Sequence, residues 1–121
     1  DFLIHTNYFS GTIPELGIRT MSGIQDFEIG INRLAGALPE SGVQVMRAVT
    51  IFIVHTNYFA GTLPGNGIRK MTAVTDFDIG INDFEGALPG SGLHVMRAVR
   101  FLAIGTTCLT GALPESGIRT M

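Results

Sequence analysis

A Gly-x-Leu/Ile-Pro segment recurs at Gly11, Gly36, Gly61, Gly86 and Gly111, always 25 residues apart, and these five segments hold every proline in the chain. A second glycine column runs Gly17, Gly42, Gly67, Gly92 and Gly117, and a methionine column runs Met21, Met46, Met71, Met96 and Met121. Self-similarity at one fixed period restricts the chain to an array of stacked units, because each unit is too small to bury its own apolar face. The expected organisation is a single array over residues 1–121, with units 1–25, 26–50, 51–75, 76–100 and 101–121.

A 50-residue alternation lies on top of the 25-residue period. Units one and three read Ile4-His5-Thr6-Asn7-Tyr8-Phe9 and Val54-His55-Thr56-Asn57-Tyr58-Phe59. Units two and four read Ile29-Gly30-Ile31-Asn32 and Ile79-Gly80-Ile81-Asn82. Duplication of a two-unit block accounts for the pattern, with a more diverged fifth unit after it.

Unit three shows what one unit can fold into. Phe52 and Val54 stand two apart and share one face of a strand. Asn57 then ends the strand, where its amide can bond free backbone groups of adjacent turns. Gly61 and Pro64 turn the chain. Ile68, Met71 and Val74 follow at spacing three, which suits a short 3₁₀ or distorted helical return. The string Val49-x-x-Phe52-x-Val54-x-x-Asn57-x-Phe59-x-Gly61-x-Leu63-Pro64 resembles the leucine-rich-repeat pattern LxxLxLxxNxLxGxLP. Its Gly-x-Leu/Ile-Pro ending resembles the plant-type subclass of receptor ectodomains, and similar repeats occur in surface proteins of protists. The resemblance implies an α/β solenoid arc with a parallel concave sheet and short 3₁₀ or helical convex returns. It further implies a non-enzymatic module that recognises a protein or peptide ligand, outside the cell or at its surface. Two departures stand out. Gly-Ile-Arg-x-Met replaces the usual leucine-rich return, and Thr107 breaks the column of Asn7, Asn32, Asn57 and Asn82. Fewer ladder bonds are expected in the last unit.

The positions flanking the inward residues of each strand point to the concave surface. Unit one contributes Leu3 and His5; unit two Asp26, Glu28 and Ile31; unit three Ile51, Ile53 and His55; unit four Asp76, Asp78 and Ile81; unit five Phe101. Acidic pairs thus alternate with apolar or histidine-bearing strands, and the apolar members are expected to be exposed in a monomer, as at interaction surfaces. Seven of the eight basic residues, all but Arg33, fall in the return or its exit. An acidic concave face and a basic back would steer a basic partner to the sheet. The same pattern also serves solubility and opposes lateral strand pairing.

Net charge is −2, which does not point to nucleic acid. The longest uninterrupted apolar run, Ile51 to Val54, is far too short for membrane insertion. Single Cys108 excludes an internal disulfide and reads as a surface thiol with no base beside it. No cofactor motif is present. His5 and His55 lie two units apart, ~10 Å in a parallel sheet, too far to share a metal ion. The four carboxylates are no glycosidase pair, since an open sheet face is wet and nothing shields them. The glycines read as turn residues and the methionines as core. The chain opens at Asp1 with no initiator Met and stops inside a return segment at Met121, so it looks like an excised piece with no polar cap at either end. Bare ends suggest an alternative role, a self-assembling module whose copies stack end to end, and Ala48 to Val54 is an uncharged β-prone segment.

Overall fold

The computed structural model describes all residues, 1–121. Each unit makes one turn of a solenoid and contributes a concave strand, a second strand and a single helical turn. In chain order these are β1 Phe2–Leu3, β2 Ser10–Thr12, α1 Glu15–Ile18; β3 Asp26–Glu28, β4 Arg33–Gly36, α2 Glu40–Val43; β5 Ile51–Ile53, β6 Tyr58–Thr62, α3 Gly65–Ile68; β7 Asp76–Asp78, β8 Asp83–Gly86, α4 Gly90–Leu93; and β9 Phe101–Ala103, β10 Cys108–Leu109, α5 Glu115–Ile118. The odd-numbered strands form one parallel sheet in the order β1-β3-β5-β7-β9. The even-numbered strands form another, in the order β10-β8-β6-β4-β2.

The concave sheet pairs residues 25 apart, so Phe2, Phe27, Phe52 and Phe77 fall in one row. Their rings stack with centroids 5.4 to 5.6 Å apart and 14 to 19° between planes. Phe27, Phe52 and Phe77 are fully buried, as are Met46, Met71 and Met96 on the opposite wall of the core. Stacking like on like removes each aromatic face from water, and offset ring pairs add modestly to the burial.

The second sheet is absent from the sequence expectation, which has only a turn at Gly61 and Pro64. Its strands pair with a different offset: Ser10 meets Arg33 and Ala60 meets Asp83, 23 residues apart in each case. Each strand is therefore staggered by two residues from its neighbour's equivalent. Gly11, Gly36 and Gly61 lie within these strands at φ of 77 to 86°, so neither residue type nor alternation signals a strand.

The return also starts earlier than the spacing of Ile68, Met71 and Val74 predicts. Ile68 N–H donates to Pro64 O at 2.9 Å and Arg69 N–H to Gly65 O at 3.1 Å, one α-turn directly after the proline. Tightening comes at its exit, where Lys70 N–H donates to Gly67 O and Met71 N–H to Ile68 O, three residues back.

Only the first glycine column turns the chain at positive φ. The second column sits inside the helical turns and admits the neighbouring unit. A Cβ on Gly67 would lie 2.7 Å from Val43 Cγ1 and 3.0 Å from Gln44 N. On Gly92 it would lie 2.7 Å from Ile68 Cγ2, and on Gly42 it would overlap Ile18. These glycines let successive helical turns approach closely, which corrects their reading as turn residues.

Candidate ligand-binding face

The Asn column fixes where each concave strand ends. Asn57 Oδ1 accepts Leu34 N–H at 3.0 Å, while its amide donates to Ile29 O, Val54 O and His55 O at 3.1 to 3.3 Å. Asn82 makes the same four bonds, to Phe59 N, Val54 O, Ile79 O and Gly80 O. Asn32 repeats the set with Phe9 N, Ile4 O, Ile29 O and Gly30 O. Each buried amide thus joins its own unit to the preceding one and holds the strands in register. Thr107 donates one side-chain bond, to Ile104 O, so the last unit loses most of the ladder as its sequence implies.

Registered strands turn the flanking positions into rows. One row reads Asp26, Ile51, Asp76, Phe101 and the next Leu3, Glu28, Ile53, Asp78, Ala103. Leu3, Ile31, Ile81 and Phe101 are about half exposed, between 44 and 53%. Ile51 and Ile53, expected to be exposed, are only partly so, because charged side chains flank them in both rows. The acidic residues are oriented by the chain itself. Thr75 Oγ donates to Asp76 Oδ2 at 2.7 Å, Gly80 N–H to Asp78 Oδ1 at 2.9 Å, and Thr50 Oγ to Asp26 Oδ1 at 3.4 Å. No basic side chain pairs with any of the four carboxylates; the ion pair of the chain is Arg119–Glu115, on the helical side.

His5 is exposed and His55 partly covered, each with Nδ1 against the hydroxyl of the next threonine, at 3.2 and 2.8 Å. A Cβ on Gly30 would lie 3.1 Å from the His55 ring, so this buried glycine lets the imidazole lie across the neighbouring strand. Ile31 and Ile81 lie just beyond their strands at φ of 55° and 52°, as do Thr6, Thr56 and Thr106. A β-branched residue in this left-handed region costs on the order of 1 kcal/mol, and the following ladder bonds hold it there. The structure adds a rim that sequence reasoning missed. Tyr8 and Tyr58 stand exposed on the second-sheet side, and the Arg33 guanidinium lies 5.1 Å from the Tyr8 ring centroid. Because the second sheet was not anticipated, nothing in the sequence placed Tyr58 beside Ile81.

None of the cavities in the molecule is lined by the four carboxylates, and no three His, Cys, Asp or Glu side chains converge on a point. The face is an open, registered surface of acidic and apolar strips. Cys108 is exposed on β10. No helix is long and apolar enough to cross a membrane.

Strand, asparagine ladder, glycine turn and short helical return, repeated in register, define a leucine-rich-repeat solenoid. No protein-family model matches the sequence, and comparison with curated proteins returns no match. Solved structures do match. The leucine-rich-repeat ectodomain of the Arabidopsis thaliana receptor kinase GASSHO1/SCHENGEN3 superposes with a TM-score of 0.89 at 26% identity, over 97% of this chain and 14% of that one. A TDR receptor gives 0.88 at 27% identity, over 98% and 20% of the two chains. PEPR1 in complex with AtPEP1 gives 0.85 at 25% identity, over 95% and 16%. The chain thus spans a fifth or less of the length of these three, and its repeat resembles the plant type.

Proposed function

We propose that the chain is a recognition module that binds a protein or peptide ligand on its concave sheet, with a preference for basic ligands. The observation that carries this reading is the set of four unpaired carboxylates of Asp26, Glu28, Asp76 and Asp78, three of them (all but Glu28) oriented by the chain, set against the strip of Ile51 and Ile53. Burial of half-exposed apolar side chains would supply affinity, and the charges would supply orientation and encounter rate. Leu3, His5, Ile31, His55, Ile81 and Phe101 would border the footprint. Two of the similar receptors support the ligand class: one was crystallised with CASPARIAN STRIP INTEGRITY FACTOR 2 and another with AtPEP1. No enclosed acid–base pair or metal cluster favours catalysis.

Selection of binders from a random linear peptide library tests the reading. Enriched sequences should be basic and should lose binding when Asp26, Glu28, Asp76 and Asp78 are changed to Lys. They should retain it when Arg19 and Arg69 are changed to Glu. Binders indifferent to the first change and lost with the second would move the site to the convex back.

A second reading, end-to-end stacking of copies, is favoured by one feature. An apolar cavity of about 190 Å³ is lined by Phe2, Ile4, Ile13, Ile18 and Met21 of unit one and by Phe27, Ile29 and Leu34 of unit two. Molar mass by light scattering across a wide concentration range separates the two, since stacking requires mass to rise with concentration.

A further inference from the structure

The concave rows carry a spacing as well as a charge. Asp26 and Asp76 lie in one row with Ile51 between them, and Glu28 and Asp78 lie in the next with Ile53 between them. Strands of a parallel sheet stand ~4.8 Å apart, so negative charge recurs every ~9.6 Å along the solenoid axis, with an apolar strip midway. Within a strand the two carboxylates of a pair stand two residues apart, about 6.6 Å, close enough for one guanidinium to reach both. Three of the four carboxylates are already turned by Thr50, Thr75 and the Gly80 N–H, so little ordering remains when a cation arrives.

That spacing discriminates between ligand conformations. A β-strand laid across the sheet presents same-face residues every ~6.6 Å, which falls short of the second acidic strand and then overshoots it. A polyproline II segment presents every third residue on one face, ~9.3 Å apart, which meets both acidic strands. An α-helix offers positions seven apart at ~10.5 Å, a poorer match, and its ~10 Å girth covers the whole width of three-residue strands.

We propose that the ligand of this face is an extended polyproline II segment lying across the strands, with two basic residues three positions apart. One would enter the Asp26–Glu28 pair and the other the Asp76–Asp78 pair, and the residues between them would cover Ile51 and Ile53. This inference rests on the concave-face reading above and adds its register.

Fluorescence anisotropy on the whole chain tests it with four labelled peptides of equal charge. Three carry two arginines in a proline background, spaced two, three or four apart; the fourth carries them seven apart in an alanine-rich helix. The three-apart peptide should bind at least about five-fold more tightly than each of the others. That preference should vanish with the paired changes Asp76→Asn and Asp78→Asn, whose fold is checked by circular dichroism. Equal binding of all spacings that still falls with the Asn changes overturns the register and leaves the concave face standing. Tightest binding of the helical peptide, or no binding of any, also overturns the register. Binding of all four that ignores the Asn changes overturns both.

Discussion

Buried columns and exposed rows of this solenoid obey different periods. Phe27, Phe52 and Phe77, Asn32, Asn57 and Asn82, and Met46, Met71 and Met96 repeat every 25 residues without change. On the concave surface Asp26 gives way to Ile51 and returns as Asp76, and Glu28 gives way to Ile53 and returns as Asp78. The rim alternates as well, from Tyr8 to Arg33, Tyr58 and Asp83. A side chain inside the stack meets much the same neighbouring surface in every unit, so one residue type satisfies each of these three columns, and the other buried columns vary only among apolar types. A side chain on the concave face meets solvent or a ligand, and stacking places no such demand on it. On the concave rows the 50-residue pattern therefore falls where stacking is indifferent, which is where recognition can be built.

The contrast can be broken from the inside first. Phe52→Ala removes a fully buried ring from the middle of the aromatic stack and should cost ~3–5 kcal/mol in denaturant unfolding. A much smaller loss would mean that the stacked column is not the core of the array. Asn57→Ala leaves Leu34 N–H without its acceptor and removes one of the bonds to Ile29 O, Val54 O and His55 O, and should cost about 2–3 kcal/mol by the same measurement. Gly67→Ala places a methyl against Val43 and the Gln44 backbone, and a loss of ~1–3 kcal/mol is expected. Thermal melting that is unchanged by it would show that the helical turns separate freely. In the other direction, Thr107→Asn restores the ladder amide of unit five and should raise stability by roughly 1 kcal/mol, seen as a higher melting temperature. The smallest effect belongs to the rows. Asp76→Asn should change stability by less than ~0.5 kcal/mol, while weakening capture of basic peptides. A large stability loss there would collapse the distinction between column and row.

Much of the architecture was legible because stacking forces periodicity. The inward Phe and Val of each strand, the Asn ladder, the thinning of that ladder at Thr107 and the helical return all follow from residue types at fixed spacing. The concave rows were equally readable, since strand alternation assigns Asp26, Glu28, Asp76 and Asp78 to the outward side. The second sheet was not legible: glycines at positive φ interrupt its short strands, and its 23-residue pairing offset does not follow the repeat. The exposure of Ile51 and Ile53 was overestimated because residues distant in sequence flank them in both rows. The helical-turn glycines were misassigned for a related reason. A missing side chain shows only that space or flexibility is required, and the identity of what fills Gly42, Gly67 and Gly92 lies in the preceding unit.

The amino-acid sequence by itself determined the period, the strand positions, the core columns and the acidic–apolar alternation, because each depends on local geometry repeated without error. Tertiary structure alone decided how far one unit slides against the next, which carboxylates are held by Thr50, Thr75 and Gly80, and how the Tyr8 and Tyr58 rim meets the concave face. Those features arise from contacts between units, and the residues of one unit carry no record of their neighbour's offset until the stack has formed.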